Sequence, residues 1–299
     1  MILLTGSAGY IGSHISYILE KKKFHYIGID NLSKSSKRNV FNKKKFLKLD
    51  FGNKHKINEL LSEKSIKTII HSAAYAYVVE GEKKKNIYYN NNVEKSKKFI
   101  NECIKKNIKN FIFLSSSNVY KDNDSKKNEN TKIEIKDIKN NYGKTKFIIE
   151  KYLLKKRNKF NNLIILRLFN IAAYNDDLNY IEKKNERHLR IFPLILKKIQ
   201  KKQKINIFVK ISKKKYIYPK RDYLHINDLL SLITKILKNI NIFKKKGVYN
   251  VGMGLNYSLN KILKLISNQI SEKNKKKNKK IKKKKKIKNK KFFFLKNNN

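Results

Sequence analysis

The sequence contains little cysteine, proline, glycine or arginine. Of its 299 residues, one is Cys, two are Pro, ten are Gly and none is Trp. The single thiol, Cys103, excludes a disulfide framework and a zinc site built from cysteines, and we predict no metal site. The low Pro and Gly content excludes collagen and low-complexity fibres. With 40% hydrophobic residues, including 16 Phe and 17 Tyr, the chain is predicted to fold around an apolar core.

Acidic residues are scarce as well. The chain has 22 Asp and Glu against 74 Lys and Arg, which gives a formal net charge of +52, and only six of these cations are Arg. Nucleic-acid recognition favours clustered Arg, whereas these lysines are spread along every segment. Lys, Asn, Ile, Phe and Tyr can all be encoded by A and T alone, so base composition accounts for the lysine excess. We therefore predict no specific nucleic-acid partner, only nonspecific binding to polyanions at low salt.

Long apolar runs are absent. Nowhere do about 18 uncharged apolar residues follow one another, and the N-terminus, MILLTGSAGYIGSH, has no basic segment ahead of an apolar one. We predict no export signal, no membrane partner and a cytoplasmic location.

Short apolar runs alternate with longer segments that can be helical over the first 170 residues. This rhythm is typical of βαβ units and predicts an α/β fold with a doubly wound parallel sheet. The predicted strands are Met1 to Thr5, Tyr26 to Ile29, Phe46 to Leu49, Thr68 to His71, Asn110 to Ser115 and Leu163 to Leu168. The clearest predicted helices are Gly12 to Lys22, Val93 to Lys106 and Asn141 to Lys156.

Three of the ten glycines lie within seven residues. Gly6, Gly9 and Gly12, in GSAGYIG, follow the first predicted strand and open the first predicted helix. Glycine permits the tight turn, lets the backbone approach a pyrophosphate and allows close helix packing, while helix N–H groups face the anion. An ordinary strand-to-helix turn can carry the same pattern, but its place in a βα unit favours a dinucleotide-binding turn.

An acidic residue stands where a dinucleotide site needs one. Asp30 follows the second predicted strand, eighteen residues after Gly12. A carboxylate there accepts hydrogen bonds from the adenosine ribose and repels a 2′-phosphate, which favours NAD over NADP. The cations Lys34, Lys37 and Arg38 lie nearby and act against this preference.

A Ser, a Tyr and a Lys form the candidate catalytic group. Tyr142 and Lys146, in YGKTK, are four residues apart, so a helix presents both on one face. A phenol with an ordinary pKa of about 10 is a poor base at neutral pH, and a neighbouring ammonium favours its phenolate. This spacing also arises by chance in a chain rich in Tyr and Lys. Ser116, after the fifth predicted strand, favours the functional interpretation because a strand end delivers its hydroxyl to the same cleft.

Nine strings occur in chain order over about residues 1–254: TGSAGYIGSH, IDNLSKSSKRNV, HSAAYAYVVEGE, YYNNNV, FIFLSSSNVY, YGKTK, LRLFNIA, RDYLHINDL and YNVGMG. Together they resemble the extended short-chain dehydrogenase/reductase family and, within it, the UDP-glucose 4-epimerase branch. The strings DNLSKSS, AAYAYVVE and RDYLHINDL make the resemblance specific, because they go beyond the glycine and Tyr-Lys patterns common to the superfamily.

The resemblance implies a Rossmann fold, a tightly held and regenerated NAD, and interconversion of UDP-galactose and UDP-glucose at C4 through a 4-keto sugar. Tyr142 would take the proton from the 4-hydroxyl. Lys146 would hold the nicotinamide ribose and lower the pKa of Tyr142, and Ser116 would bond to O4. Family members are commonly homodimers, so a homodimer through the helices near Val93 and Asn141 is expected.

The resemblance also implies the lining of both ligand sites. Cofactor-binding residues would be Gly6, Gly9, Tyr10, Ile11, Gly12, Asp30, Asn31, Leu32, Ser33, Lys34, Ser35, Asp50, Phe51, Ser72, Ala73, Ala74, Tyr75, Ala76, Asn92, Ser116, Tyr142, Lys146 and Phe169. Substrate-binding residues would be Ser116, Tyr142, Asn170, His188, Leu189, Ile207, Phe208 and Arg221. A guanidinium such as that of Arg221 can grip a diphosphate with two hydrogen bonds, although a surface ion pair with Asp222 is the alternative. His225 is expected to be a packed structural residue.

The rhythm of strands and helices breaks after Asn170, and this change predicts the domain organisation. Residues 1–170 would form the NAD-binding Rossmann domain with the catalytic residues, and residues 171–272 a smaller substrate-binding region that returns in part to the sheet. Residues 273–299 contain fifteen Lys and no acid, and such a self-repelling block is predicted to be a disordered tail.

Three other functions stay open or are disfavoured. A 4,6-dehydratase needs acids just after the catalytic hydroxyl, where Ser117 and Asn118 stand, so dehydration is disfavoured. Another nucleotide-sugar epimerase, acting on UDP-N-acetylglucosamine or UDP-glucuronate, remains an alternative. The last alternative is a degraded, noncatalytic NAD-binding protein.

Overall fold

The computed structural model of the chain describes residues 1–121, 127–175, 178, 191–201, 203–204, 210–212, 215–240 and 246–269. The contacts divide the chain into two compact units. The larger comprises Met1–Asn206 with Asp222–Leu255, and the smaller comprises the described residues of Ile207–Arg221 and Asn256–Asn299. The predicted division at residue 170 stays a prediction, and the lysine-rich tail lies outside the described residues.

The strands are β1 Ile2–Thr5, β2 Tyr26–Asp30, β3 Phe46–Lys48, β4 Thr68–His71, β5 Asn110–Ser116, β6 Asn162–Leu168, β7 Asn170–Ala172, β8 Lys210–Ser212, β9 Lys215–Ile217, β10 Lys220–His225, β11 Lys246–Val251 and β12 Asn256–Ser258. The helices are α1 Tyr10–Lys21, α2 Lys54–Glu63, α3 Val78–Lys83, α4 Lys85–Tyr89, α5 Lys95–Lys105, α6 Asn141–Lys155, α7 Ile191–Gln200 and α8 Ile226–Lys238. A π-helical turn, Asn90–Glu94, joins α4 to α5.

Seven parallel strands form the main sheet, in the order β11-β6-β5-β4-β1-β2-β3. The chain runs outward from β1 to β3 and then crosses back to β4, which creates a switch point between β1 and β4 where doubly wound sheets bind ligands. The predicted doubly wound parallel sheet is therefore confirmed. Each of the six predicted strands is present within about one residue.

The sheet is buried between two layers of helices. Strands β1, β4, β5 and β6 are buried along their whole length, as strands covered on both faces must be. One apolar cluster joins β1, β4 and β5 to α2, α5 and α6, and a second joins the opposite face of the same strands to α1 and α8. Each fully buried Leu, Ile or Phe contributes on the order of 2 kcal/mol to this core.

Elements β11, α5 and α1 differ from the prediction, and α1 begins at Tyr10, two residues before the predicted Gly12. Strand β11 pairs with β6 at the edge of the sheet; its bounds were not predicted, because its sequence KGVYNV is short and only one of its six residues is buried. Helix α5 begins at Lys95 rather than at Val93, because the π-helical turn precedes it.

Smaller sheets complete the described chain. Strands β7 and β10 pair in parallel, with Tyr223 opposite Asn170. In the smaller unit β8 and β9 form an antiparallel pair, and residues 259–269 are helical. Among the described residues, no helix has the length and apolar character needed to cross a bilayer.

Candidate active site

The turn after β1 requires glycine at two positions. Gly6 has φ +70°, in the left-handed region, and a Cβ there would lie 2.7 Å from Cα of Ala73. A Cβ on Gly12 would lie 2.0 Å from the carbonyl oxygen of Gly6. Because both obstacles are backbone atoms, no side chain fits at either position. The turn therefore directs the N-terminus of α1 along the carboxyl edge of the sheet.

This turn has unsatisfied polar groups that suit an anion. In the part of the chain that the structure describes, no side chain caps the N-terminus of α1, where Gly9 is the N-cap residue. Ser7 Oγ is buried and has no hydrogen-bond partner among the same residues. Helix N-terminal N–H groups and a buried hydroxyl are the donors that a pyrophosphate needs. The observed geometry thus fits the diphosphate of a dinucleotide.

Asp30 closes the turn from the end of β2. Its Oδ2 accepts the N–H of Ala8 at 3.1 Å, and its Oδ1 accepts the N–H of Leu32 at 2.8 Å and the hydroxyl of Ser35 at 2.8 Å. Leu32 has φ +61°, so the backbone turns sharply around the carboxylate. Asp30 therefore joins the glycine turn to the 31–35 loop, and Oδ2, which accepts a single hydrogen bond, has a lone pair left for a ribose hydroxyl.

Lys34, the first cation after Asp30 in the sequence, is paired with an acidic residue. Lys34 Nζ pairs with Glu80 at 2.5 Å and lies 5.2 Å from the centre of the Tyr75 ring. Burial raises the pKa of Glu80, but hydrogen bonds from Lys34, Tyr88 and Lys84 outweigh it and lower that pKa overall. Since Glu80 offsets its charge, Lys34 opposes the NAD preference of Asp30 less than its position in the sequence indicates.

Asp50 is held by protein donors. Its carboxylate accepts hydrogen bonds from Lys95 Nζ at 2.6 Å, Asn31 Nδ2 at 2.8 Å and the N–H of Gly52 at 2.7 Å. Burial alone would raise the pKa of Asp50, and these donors lower it. Phe51 is buried edge-on against His71. Asp50 thus orders the loops around it, and contact of Asp50 or Phe51 with the cofactor stays a prediction.

Asn92 connects the loop after β4 to the catalytic helix. Its side chain accepts the N–H of Tyr75 at 2.8 Å and donates to Tyr75 O at 2.9 Å and to Thr145 Oγ1 at 3.1 Å. It lies in the π-helical turn, a feature often found at functional sites. Ala73 N donates to Thr5 Oγ1 at 3.2 Å, so the loop of residues 72–76 is anchored at both ends.

The predicted catalytic side chains meet at the carboxyl end of β5. Ser116 is its last residue, and Ser116 Oγ accepts the N–H and the side-chain amide of Asn118, each at 3.2 Å. Tyr142 and Lys146 lie on the first turns of α6, which Asn140 caps. A Cβ on Gly143 would lie 2.1 Å from Asn118 O, so this glycine lets the helix approach Ser116 closely.

The electrostatics of Tyr142 and Lys146 follow from burial. Burial raises the pKa of Tyr142 to about 12, against a hydrogen bond with Ser116 that lowers it. Burial lowers the pKa of Lys146 to about 7, and the negative charge of Glu150 opposes that fall. Lys146 Nζ donates to the carbonyl of Leu114 at 2.7 Å and lies 5.9 Å from the Tyr142 ring centre. Tyr142 therefore needs added positive charge to act as a base near neutrality.

Comparison with known proteins identifies the family. A model described as the NAD dependent epimerase/dehydratase family matches residues 2–252. The chain belongs to this family. The match confirms the predicted resemblance and the predicted NAD dependence, and the glycine turn and Asp30 are the features of this chain that fit NAD.

Individual members of the epimerase/dehydratase family are similar to this chain over most of their length. The UDP-glucose 4-epimerase of Lactobacillus helveticus is 30% identical over 266 residues, which cover 88% of this chain and 79% of that protein. The one from Caenorhabditis elegans is 29% identical, covering 88% of this chain and 81% of its own. A crystal structure of a UDP-glucose 4-epimerase is 27% identical with a TM-score of 0.80, and covers 89% of this chain and 81% of its own.

The predicted substrate residues are only partly described. Asn170 Nδ2 donates to the carbonyl of Asp222 at 3.0 Å, and Phe169 N donates to Val251 O at 3.0 Å. Asp222 accepts the N–H groups of residues 253 and 254, and Arg221 donates to the carbonyl of Lys220. The predicted residues that lie outside the described part of the chain are His188, Leu189, Ile207 and Phe208.

One expectation about a side chain needs revision, and Tyr10 has a partner within the protein. His225 is exposed and caps α8, with its Nδ1 accepting the N–H of Asn227 at 3.1 Å, so it is structural but not packed. Tyr10 is bound to protein as well as placed at the turn, because its hydroxyl donates to Ala173 O. Its neighbour His14 accepts the N–H of Asn175 at 3.2 Å. These bonds tie α1 to the segment after β7.

Several residues of this epimerase/dehydratase site were not predicted. Asn118, Thr145 and Glu150 contact or influence the predicted residues directly. Two signals in the sequence could have found the last of them. Glu150 follows Lys146 by four residues on the same helix face, and Arg167 interrupts an apolar strand, where a cation requires a buried acidic partner.

Proposed function

We propose that this chain interconverts UDP-galactose and UDP-glucose by epimerisation at C4 through a 4-keto sugar. The observation that carries the proposal is the meeting of Ser116, Tyr142 and Lys146 at the end of β5, in a chain 30% identical to a UDP-glucose 4-epimerase. Bound NAD would accept a hydride from C4 and return it to the opposite face of the keto sugar.

Tyr142 would remove the proton of the 4-hydroxyl. With a pKa of about 12 in its buried setting, the phenol is protonated at neutral pH. The ammonium of Lys146 stabilises the Tyr142 phenolate. Tyr142 can therefore lose its own proton, and so act as a base, only while Lys146 is charged. Because the pKa of Lys146 is about 7, this condition is met in a large fraction of molecules near neutrality. Ser116 would hold O4 next to the phenol oxygen.

The cofactor would lie along the carboxyl edge of the sheet. The glycine turn and the N-terminus of α1 would hold its diphosphate, and Asp30 would bind its adenosine ribose. Lys146 would hydrogen-bond the nicotinamide ribose. The anchored loop of residues 72–76 and Phe169 would complete the lining, in the roles that the family resemblance implies.

Asn170, His188, Leu189, Ile207, Phe208 and Arg221 would bind the UDP-sugar. Arg221 is the residue whose chemistry is clearest, because a planar guanidinium can bind the diphosphate with two parallel hydrogen bonds. A homodimer through the face of α5 and α6, and a cytoplasmic location, also belong to the proposal. Sedimentation at several protein concentrations tests the dimer.

The decisive experiment mixes the purified protein with UDP-galactose, with and without added NAD, and follows UDP-glucose at moderate salt. We expect UDP-glucose to form in the wild type and not in Tyr142→Phe. Parallel reactions with UDP-N-acetylglucosamine and UDP-glucuronate test the alternative epimerases. Absence of any product with NAD bound at one equivalent would overturn the proposal and indicate a noncatalytic NAD-binding protein.

A further inference from the structure

A buried carboxylate lies one helical turn after Lys146 on α6. Glu150 is on α6, four residues after Lys146 and eight after Tyr142, so the three side chains share one face of the helix. Glu150 is 0% exposed. A carboxylate without water is costly unless charged or hydrogen-bonding partners surround it, so its presence at this position calls for an explanation.

Arg167 and Ser115 are those partners. Arg167 Nε donates to both oxygens of Glu150, at 3.1 and 3.2 Å, and Nη2 donates to Oε2 at 2.7 Å. The hydroxyl of Ser115 donates to Oε1. Arg167 is 5% exposed on β6, and Ser115 is buried on β5, next to Ser116. These contacts hold the carboxylate in one orientation.

A second set of contacts holds the arginine. Its Nη1 donates to the Tyr120 hydroxyl at 2.9 Å, and its guanidinium lies 4.9 Å from the centre of the Tyr120 ring. The Tyr120 hydroxyl in turn contacts Asn250 Oδ1 at 2.7 Å, on β11. Tyr120 therefore holds Arg167 from the side opposite Glu150 and keeps the guanidinium in contact with the carboxylate.

Lys146 has few charged neighbours in the described residues. On its own helix it faces Tyr142 and Glu150. From β4 it faces His71, whose pKa burial and then the charge of Lys146 lower to about 3, so this imidazole is neutral. Arg167, on β6, is bound to the Glu150 carboxylate. Within the described part of the chain, Glu150 is thus the one negative charge that acts on Lys146, and it opposes the loss of the lysine proton.

We propose that Glu150, fixed by Arg167 and Ser115, is the positioning residue that keeps the Lys146 ammonium charged inside the site. This inference rests on the proposed function, in which Tyr142 acts as a base only beside a charged Lys146. Glu150 touches neither substrate nor cofactor and acts through the lysine. The Glu150–Arg167 pair therefore affects the proton affinity of Lys146 and, through it, of Tyr142, in addition to joining α6 to the sheet.

The test is the titration of Lys146 in the NAD-loaded protein labelled with [¹³Cε]lysine. The Lys146 resonance is assigned by its loss in Lys146→Met. Glu150→Gln removes the charge and keeps the shape, and should lower the titration midpoint of Lys146 by about one pH unit. Arg167→Gln frees the carboxylate from its partner and should raise the midpoint. Ser115→Ala removes one hydrogen bond to Glu150 but no charge, and should move the midpoint less than either charge variant.

Turnover connects the titration to the reaction. At a pH above both midpoints, a midpoint one unit lower leaves about tenfold less charged Lys146, so Glu150→Gln should reduce kcat about tenfold there and much less at lower pH. The double variant Glu150→Gln with Arg167→Gln removes both charges of the pair, so that neither Glu150 nor Arg167 is left without its partner. It should fold even if a single variant does not, and should keep the lowered midpoint.

Opposite midpoint shifts in the two single variants, or a lowered midpoint in the double variant, support the proposal. Midpoints that stay unchanged, or that move in the same direction in both single variants, overturn it and leave the pair a purely structural role. The titration needs no sugar substrate. A wild type that lacks epimerase activity but shows the expected shifts would therefore contradict the proposed function and not this inference.

Discussion

The nucleotide half and the catalytic half of the site are built differently. Around β1 and β2 the site depends on the backbone. Gly6 and Gly12 have no room for a side chain, and the Asp30 carboxylate accepts N–H groups from the loops after β1 and β2. Around β5, β6 and α6 it is made of buried polar side chains that support one another, with Glu150 and Arg167 behind Lys146. The first half is fixed by local geometry, and the second depends on charges brought together by the fold.

This contrast predicts where each kind of change acts. Substitutions in the nucleotide half should alter cofactor affinity and leave the reacting groups intact. Substitutions in the catalytic half should alter rate, proton affinity and stability while NAD stays bound.

The largest effect is expected at Tyr142. Tyr142→Phe removes the base without changing the shape of the side chain, and should lower kcat about 1000-fold. Bound NAD, measured by its release on denaturation, should stay at one equivalent. Near-normal turnover in this variant would show that Tyr142 is not the base.

In the nucleotide half, Gly12→Ala should weaken NAD binding about 100-fold or more, because the new Cβ would lie 2.0 Å from Gly6 O and α1 must move away from the turn. Calorimetric titration with NAD measures the change. Gly247→Ala is the control, since its Cβ would meet only the tip of the Tyr249 side chain, at 3.3 Å. Equal NAD affinity in both variants would contradict a backbone-built site.

The buried pair in the catalytic half should dominate local stability. Glu150→Leu leaves Arg167 unpaired in the core, and should reduce the free energy of unfolding by about 3–5 kcal/mol. Glu150→Leu combined with Arg167→Met should recover most of that loss, because an apolar pair needs no charged partner. Urea unfolding compares the two, and a double variant less stable than the single would refute the paired arrangement.

Cofactor choice should depend on Asp30. Asp30→Asn keeps the size of the side chain and removes the charge that repels a 2′-phosphate, so the preference for NAD over NADP should fall about tenfold. Competition binding of the two cofactors measures the ratio. Asp50→Asn, whose parent carboxylate is held by Lys95, should leave that ratio unchanged.

The smallest effect concerns acid stability around Asp50. Its pKa in the folded protein lies below the ordinary value, so the ionised form stabilises the fold above about pH 4. This contribution is lost as the pH falls through the lowered pKa. Asp50→Asn should cost about 1 kcal/mol at pH 7 and progressively less as the pH falls through the lowered pKa. A loss independent of pH would assign the effect to packing instead of charge.

The two halves also differ in how far the sequence predicts them. The glycine turn, Asp30 and the first six strands follow from local rules, because spacing, turn chemistry and apolar runs act within a few residues. The Glu150–Arg167 pair joins a helix to a strand, and its influence on Lys146 can be recognised only once β5, β6 and α6 are packed together. The bounds of strand β11 were missed for a related reason, since a short, half-buried edge strand carries little apolar signal and pairs with β6 far away in the chain.

The most direct test of the central claim uses UDP-galactose deuterated at C4 of the sugar. If NAD bound in this site takes the hydride and returns it to the other face, the UDP-glucose formed should keep its deuterium at C4 in ordinary water. Mass spectrometry of the product measures the label. Loss of the deuterium to solvent would show that epimerisation proceeds by another route, and would contradict the proposed roles of Tyr142, Lys146 and Ser116.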